Sequence, residues 1–260
     1  MDFPAPRVIG HRGAAFYAPE NTLAGFRIAR KLGAAWVEFD VQATRDDIPM
    51  LLHDARLDRT TNGNGLIAER TSDDVSRLDA GSWFGGRQFC GERVPTLDVA
   101  LAVLDELGLG AMIEVKAGPG DGPRTMGAVL HSLRKRVPGV PCHLSSFDED
   151  ALSRAQDERP DVPRALLVRE LPGDWLARVT RLQCSALHAG ERGLDAASIA
   201  AVAQKLPLRA YTVNDPARAG TLFQWGIGAV FTDCPDVIIS AVGHRTDGPA
   251  GTGSRGSSQK

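Results

Sequence analysis

Short apolar runs alternate along the chain with longer stretches in which apolar residues recur every third or fourth position. The runs Val8–Gly10, Trp36–Val41, Met50–Leu52, Ala111–Lys116, Cys142–Ser145, Ala165–Val168, Ala186–His188, Arg209–Val213 and Ala229–Thr232 read as β-strands. Between them Thr22–Leu32, Thr96–Leu107, Arg124–Arg136, Asp148–Glu158, Trp175–Gln183, Ala196–Lys205, Pro216–Trp225 and Pro235–Val242 read as helices. Leu97, Ala100, Leu101 and Leu104 share one helix face. Start signals agree: Asn21 precedes the first helix, Thr96 opens another, and Asp215-Pro216 sets proline at a first turn. Strand–helix units repeated over about 250 residues predict an α/β fold, a single (β/α)8 TIM-like barrel spanning residues 1–245. A doubly wound open sheet is the competing architecture, but no Gly-x-Gly-x-x-Gly follows a strand.

One section breaks the rhythm. Residues 55–95 are rich in polar residues and glycine, including Thr60-Thr61-Asn62-Gly63-Asn64-Gly65, and are too long for an ordinary βα loop. They predict a small insertion after the second strand, lying over the C-terminal mouth of the barrel, where functional loops gather. Residues 246–260, almost all Gly, Ser and polar, predict a disordered tail.

Composition narrows the function classes. At 260 residues the chain can bury a substantial core, and 43% hydrophobic with 24% charged residues is ordinary for a globular protein. A formal charge of −2 gives no electrostatic case for nucleic acid. No run approaches the roughly 20 apolar residues of a membrane helix, so no stable membrane insertion is expected. The first residues lack the basic-then-apolar order of a secretory signal. Cys90, Cys142, Cys184 and Cys234 are widely spaced, which predicts reduced thiols in a cytoplasmic protein rather than a disulfide or zinc framework. Cys234 falls near a barrel mouth but has no evident base and is not read as a nucleophile.

The chemistry concentrates early. Glu38 and Asp40 stand two apart in an apolar strand, so they project to one face and repel unless a cation or proton lies between them. His11 and His53 each follow an apolar run, at the expected C-terminal end of a barrel strand, and suit proton transfer near neutral pH. The combination predicts a metal-assisted hydrolytic site.

The ordered segments His11-Arg12-Gly13, Pro19-Glu20-Asn21-Thr22, Val37–Gln42, His53-Asp54, Arg59-Thr60-Thr61, Leu78–Phe84, Val94–Leu97, Ile113–Lys116, Ser145–Phe147, Tyr211–Asn214 and Phe231–Asp233 resemble those of the glycerophosphodiester phosphodiesterases, over nearly the whole chain. The resemblance implies hydrolysis of small glycerophosphodiesters, such as glycerophosphocholine or glycerophosphoethanolamine, to glycerol 3-phosphate and an alcohol. It places such an enzyme in lipid and glycerol metabolism. It implies one divalent cation, Mg2+ or Ca2+, on Glu38, Asp40 and Glu114; an all-oxygen set suits a hard ion. His11 and His53 become the acid–base pair, with their individual roles open. Arg12 and Lys116 become contacts to phosphate oxygens, and Trp83, Phe84, Phe147, Tyr211 and Trp225 candidate walls for the glycerol or alcohol group. Trp83 and Phe84, in the insertion, are the candidates for a lid. Glu20, Asn21 and Thr22 are read as fixing the first βα loop and capping its helix, and Asp233 equally well as a turn residue. Tyr211 stands where many relatives carry Trp, and Ala229-Val230 where Asp-Gly is more usual, which leaves head-group preference open. A homodimer is common for this fold. Two rival readings are a lipid-cleaving phosphodiesterase of the related phospholipase kind, which calls for a basic face the sequence lacks, and a non-catalytic phosphate-ester binding module, which calls for a degraded site.

Overall fold

The computed structural model describes residues 5–116, 118, 121–135, 139 and 141–243; the 246–260 tail lies outside the described residues. Nine strands occur among them: β1 (Val8–Gly10), β2 (Trp36–Ala43), β3 (Pro49–Leu51), β4 (Gly110–Val115), β5 (Cys142–Ser146), β6 (Arg164–Val168), β7 (Ala186–Gly190), β8 (Leu208–Tyr211) and β9 (Ala229–Thr232). The order β1-β9-β8-β7-β6-β5-β4-β2, with β1 also paired to β2, closes eight parallel strands into a TIM barrel. The α-helices among the described residues are α1 (Leu23–Lys31), α2 (Ser72–Ser76), α3 (Leu97–Leu107), α4 (Gly122–Lys135), α5 (Glu149–Glu158), α6 (Trp175–Arg181), α7 (Ala196–Ala203), α8 (Pro216–Gln224) and α9 (Pro235–Val242). All but the short α2 follow the strand–helix rhythm of the sequence. No described helix is long and apolar enough to cross a membrane.

Alternation along each strand decides what faces the axis. On β2, Val37, Phe39 and Val41 point outward and pack with Phe26 of α1, Leu97 and Leu104 of α3, and Ile113 and Val115 of β4. Phe39 is fully buried, worth about 1.5–3 kcal/mol as a side chain removed from water. The other half of the ring, under α6 to α9, is closed by Leu166, Leu187, Ile199, Leu222 and Val230. Inward, Ile9, Trp36, Met112, Ala229 and Phe231 fill the lower barrel. His143, His188 and Arg209 are buried at inward positions as well, with Arg209 Nη1 3.0 Å from His188 Nε2. Trp36, Glu38 and Asp40 share the inward face of β2, so the bottom of the barrel is packed and the carboxylates line its upper layers.

Two local features differ from the sequence reading. The helix cap before α1 is Thr22, whose hydroxyl accepts from Gly25 N, while Asn21 turns across to β2. The Met50–Leu52 run is not a barrel strand. β2 overshoots the rim, the chain reverses through a turn in which Thr44 N donates to Ile48 O at 3.1 Å, and β3 runs back antiparallel with Val41 opposite Leu51. His53 therefore does not end a barrel strand; the return brings it back toward the level of Asp40, whose carbonyl accepts from Leu52 N at 3.1 Å. Beyond it a 3-10 turn (Ile67–Glu69) and α2 enclose a small core of Met50, Leu52, Leu57, Ile67, Val75, Ala80 and Val94.

Candidate active site

The first βα turn is shaped by backbone before side chains. A Cβ on Gly10 would lie 2.1 Å from the Gly13 carbonyl oxygen, and Gly13 has φ +92° with the Gly25 backbone against it. Arg12 (φ 49°) and Asn21 (φ 58°) are also left-handed, a conformation that costs a non-glycine residue about 1–3 kcal/mol. β2 holds the turn in place. Glu38 Oε2 accepts from Arg12 N at 3.0 Å, Asn21 Nδ2 donates to Asp40 Oδ2 at 2.9 Å, and Asp40 N donates to Asn21 Oδ1 at 3.0 Å.

Strand pairing sets Asp40 beside Glu114 in register, and one oxygen from each of Glu38, Asp40 and Glu114 falls within 4.8 Å of the others. Lys116 Nζ lies 3.1 Å from Asp40 Oδ1 and 2.6 Å from Glu114 Oε1, and Arg12 Nε lies 3.3 Å from Asp40 Oδ2. Burial pushes all three carboxyls up. For Asp40 the Lys116 and Arg12 charges outweigh it and hold the group well below its usual range. For Glu38 burial is reinforced by the Asp40 charge, and for Glu114 burial and Asp40 outweigh Lys116, so both stay raised. Glu38 Oε1 is buried without a hydrogen-bond partner. A carboxylate oxygen in that condition, among three convergent carboxylates, fits a hard divalent cation.

Both histidines are oriented from behind. His11 Nδ1 lies 2.7 Å from Asp233 Oδ1 and its Nε2 3.9 Å from Glu38 Oε2. His53 Nδ1 lies 2.6 Å from Asp54 Oδ1. Burial and the His11 hydrogen bond have opposite effects on Asp233, and its pKa is lowered overall; that of Asp54 is lowered first by its hydrogen bond from Arg59. Ionised carboxylates only accept, so each Nδ1 carries a proton and each Nε2 is left for the substrate side. The two rings are shifted oppositely. Burial lowers His11, but the Asp233 bond and the Glu38 charge outweigh it and leave it raised; His53 is lowered, by burial first. Asn214 steadies Asp233, donating from Nδ2 to Oδ2 at 2.6 Å and accepting from Asp233 N at 2.8 Å. Gln42, one step further along the inward face of β2, donates from Nε2 to the carbonyls of His53 (3.0 Å) and Asp54.

A sequence profile of the Glycerophosphoryl diester phosphodiesterase family matches residues 11–237. The chain belongs to this family. The expected barrel and the expected enzyme class both hold. Among similar structures, that of an Oleispira antarctica phosphodiesterase in complex with the product sn-glycerol-3-phosphate has a TM-score of 0.88 and 37% identity, covering 92% of this chain and 97% of that one. The Bacillus subtilis glycerophosphodiester phosphodiesterase is 33% identical over 251 residues, 88% of this chain and 84% of its own. The Caldanaerobacter subterraneus glycerophosphodiester phosphodiesterase is 31% identical over 242 residues, 90% and 97% of the two chains.

Within this family member the structure groups His11, Arg12, Glu38, Asp40, Glu114 and Lys116 at one end of the barrel. Phe147 and Tyr211 stand at the same end, ring centroids 6.1 Å apart and edge-on, with Lys116 Nζ 5.9 Å from the Phe147 ring and the Tyr211 hydroxyl donating to Val168 O. Trp83 and Phe84 meet edge-on, as do Phe84 and Phe89, in the loop after α2. Trp225 is not brought to the mouth. It caps the C-terminal end of α8, packs against the outer helix layer and lies under Arg218, because a barrel helix returns the chain to the end opposite the site. Sequence reasoning assigned no role to Asp54, Gln42, Arg59 or Asn214 and left Asp233 undecided. Asp54 adjoins a histidine and Gln42 continues the Glu38-Asp40 alternation, so both carried a signal; the other three meet their partners only through tertiary contact.

Proposed function

We propose that the protein hydrolyses glycerophosphodiesters to glycerol 3-phosphate and an alcohol, with His11 and His53 as the acid–base pair and one divalent cation, Mg2+ or Ca2+, on Glu38, Asp40 and Glu114. The observation that carries the reading is the pairing of two histidines, each backed by a carboxylate on Nδ1, with a buried triad of acids. One imidazole takes the proton of the attacking oxygen as its bond to phosphorus forms. The other protonates the alkoxide as the P–O bond to the alcohol breaks, because an unassisted alkoxide leaves poorly. The cation, when bound, neutralises phosphate charge in the crowded transition state. Arg12 and Lys116, beside the carboxylate triad, hold the non-bridging oxygens, and Phe147 and Tyr211 wall the organic group. The complex of the Oleispira antarctica relative with the product sn-glycerol-3-phosphate supports glycerol 3-phosphate as the product that keeps the phosphoryl group while the alcohol leaves. Four widely spaced cysteines with no Cys-x-x-Cys pair support a cytoplasmic setting, where deacylated phospholipids would be salvaged into lipid and glycerol metabolism.

The test is release of glycerol 3-phosphate from glycerophosphocholine and glycerophosphoethanolamine, first with EDTA and then with Mg2+, Ca2+ or Mn2+ restored. Cation-dependent release, cut at least about 100-fold by His11→Ala and by His53→Ala, is the expected result. Folded protein that binds these esters without turning them over in any cation overturns the reading in favour of a binding module.

A further inference from the structure

Arg59 lies outside the barrel strands, yet its guanidinium spans two carboxylates from different loops. Nε and Nη2 donate to Asp54 Oδ2 and Oδ1 at 2.6 and 3.1 Å, and Nη1 and Nη2 donate to Glu20 Oε2 and Oε1 at 2.7 and 2.8 Å. Two bidentate forks on one planar group fix its rotation as well as its position. Each carboxylate passes the constraint on. Asp54 Oδ1 sits 2.6 Å from His53 Nδ1, while Glu20 Oε1 also accepts from Arg12 Nη1 at 2.7 Å, and Arg12 Nε reaches Asp40 at 3.3 Å. A line of hydrogen-bonded and ion-paired partners thus runs from His53 through the alternating charges of Asp54, Arg59, Glu20 and Arg12 to Asp40.

The Arg59 side chain is 44% exposed, and ion pairs that open to water add little stability. What it contributes is geometry. The His53 loop follows β3, among the described residues the one strand outside the closed barrel. Gln42 holds that loop by its backbone carbonyls, which leaves the imidazole free to rotate unless Asp54 is itself held. We propose that Arg59 is a positioning residue for His53: it locks Asp54 against Nδ1 and ties the His53 loop to the first βα loop, which carries His11 and Arg12. The inference rests on the reading of His53 as an acid–base group.

The experiment measures kcat, KM and melting temperature for the full chain with added cation, in wild type, Arg59→Met, Arg59→Lys, Asp54→Asn, His53→Ala and the Arg59→Met/Asp54→Asn pair. Arg59→Met is expected to lower kcat about 10²-fold, the scale of a misplaced reacting group, with KM within about threefold of wild type. The double variant is expected to be no slower than the slower single variant, because both act through the same imidazole. Arg59→Lys restores the charge without the two forks and is expected to remain well below wild type. An Arg59→Met kcat within about threefold of wild type overturns the proposal, and so do losses that multiply in the double variant. Near-normal turnover in His53→Ala would instead sink the acid–base reading itself; a crippled His53→Ala beside a normal Arg59→Met sinks the clamp alone. If Arg59→Met does not fold, Glu20→Gln weakens the other fork at constant volume, and the same cycle with Asp54→Asn decides the matter.

Discussion

Replacing Asp233 by asparagine changes one atom of a carboxylate, yet the surrounding hydrogen bonds force that change onto the His11 ring. Asn214 Oδ1 accepts from Thr232 Oγ1 at 2.9 Å and from Asp233 N at 2.8 Å, so Asn214 Nδ2 must face Asp233 Oδ2 as a donor, at 2.6 Å. In Asp233→Asn the position facing Asn214 Nδ2 still requires an acceptor, which fixes the new amide oxygen there and turns its NH2 toward His11 Nδ1. Nδ1 then has to accept, and the proton moves to Nε2, the nitrogen that the proposed mechanism gives to the substrate. Loss of the charge-assisted bond costs about 1.5–3 kcal/mol, or roughly 10–150-fold in rate. The reversed tautomer adds to this, and the equivalent change in a Ser-His-Asp triad costs about 10⁴. The expected fall in kcat/KM is therefore about 10²–10⁴. Asp233→Ala removes the orientation but leaves the tautomer free, so it is expected to be the milder variant. Removing Asn214 as well, in Asp233→Asn/Asn214→Ala, lets the amide turn and is expected to recover about tenfold. Cation-supplemented release of glycerol 3-phosphate across pH gives the rates, and 15N spectra of the histidine rings give the tautomer. Asp233→Asn within about threefold of wild type, or Asp233→Ala slower than Asp233→Asn, refutes the reasoning.

Three further outcomes are expected. Gly10→Ala places a methyl 2.1 Å from the Gly13 carbonyl, so it should destabilise by about 1–3 kcal/mol and cost more activity than its melting shift explains; normal turnover would mean the His11–Gly13 turn moves freely. Glu114→Gln should weaken Mg2+ or Ca2+ binding by about tenfold or more, and an unchanged calorimetric titration would reject Glu114 as a ligand. His143 is buried with Nε2 unpartnered, and burial, then Arg209, pushes its pKa down from 6.5 to about 4. Between those values the unfolded chain takes up a proton that the fold refuses. Stability is therefore intact above the window and falls as pH drops through it, by at most about 3 kcal/mol. His143→Gln should flatten this slope in urea melts above and below the window; parallel losses in variant and wild type would show that His143 does not cause it.

Much of the architecture is local and was legible. The helical period of Leu97, Ala100, Leu101 and Leu104 survives as the buried face of α3, where these residues are almost completely buried. The two-residue period of Glu38 and Asp40 survives as the inward face of β2. Such periods follow from backbone dihedrals, which each short segment adopts under its own sterics, so the sequence by itself determines them. It also determines the His11-Arg12-Gly13 turn, because only glycine at positions 10 and 13 leaves room for it. Register, reversal and partner choice belong to the tertiary structure. Pairing of β2 with β4 set Glu114 beside Asp40, and the antiparallel return of β3 brought His53 back toward Asp40. Closure of β9 onto β1 gave His11 its carboxylate from 222 residues away, and the direction of α8 carried Trp225 to the opposite end. Each of these contacts joins segments whose separation along the chain says nothing of their separation in space. Their selection rests on burying apolar strand faces and satisfying every buried polar group at once, a condition that only the whole closed barrel meets.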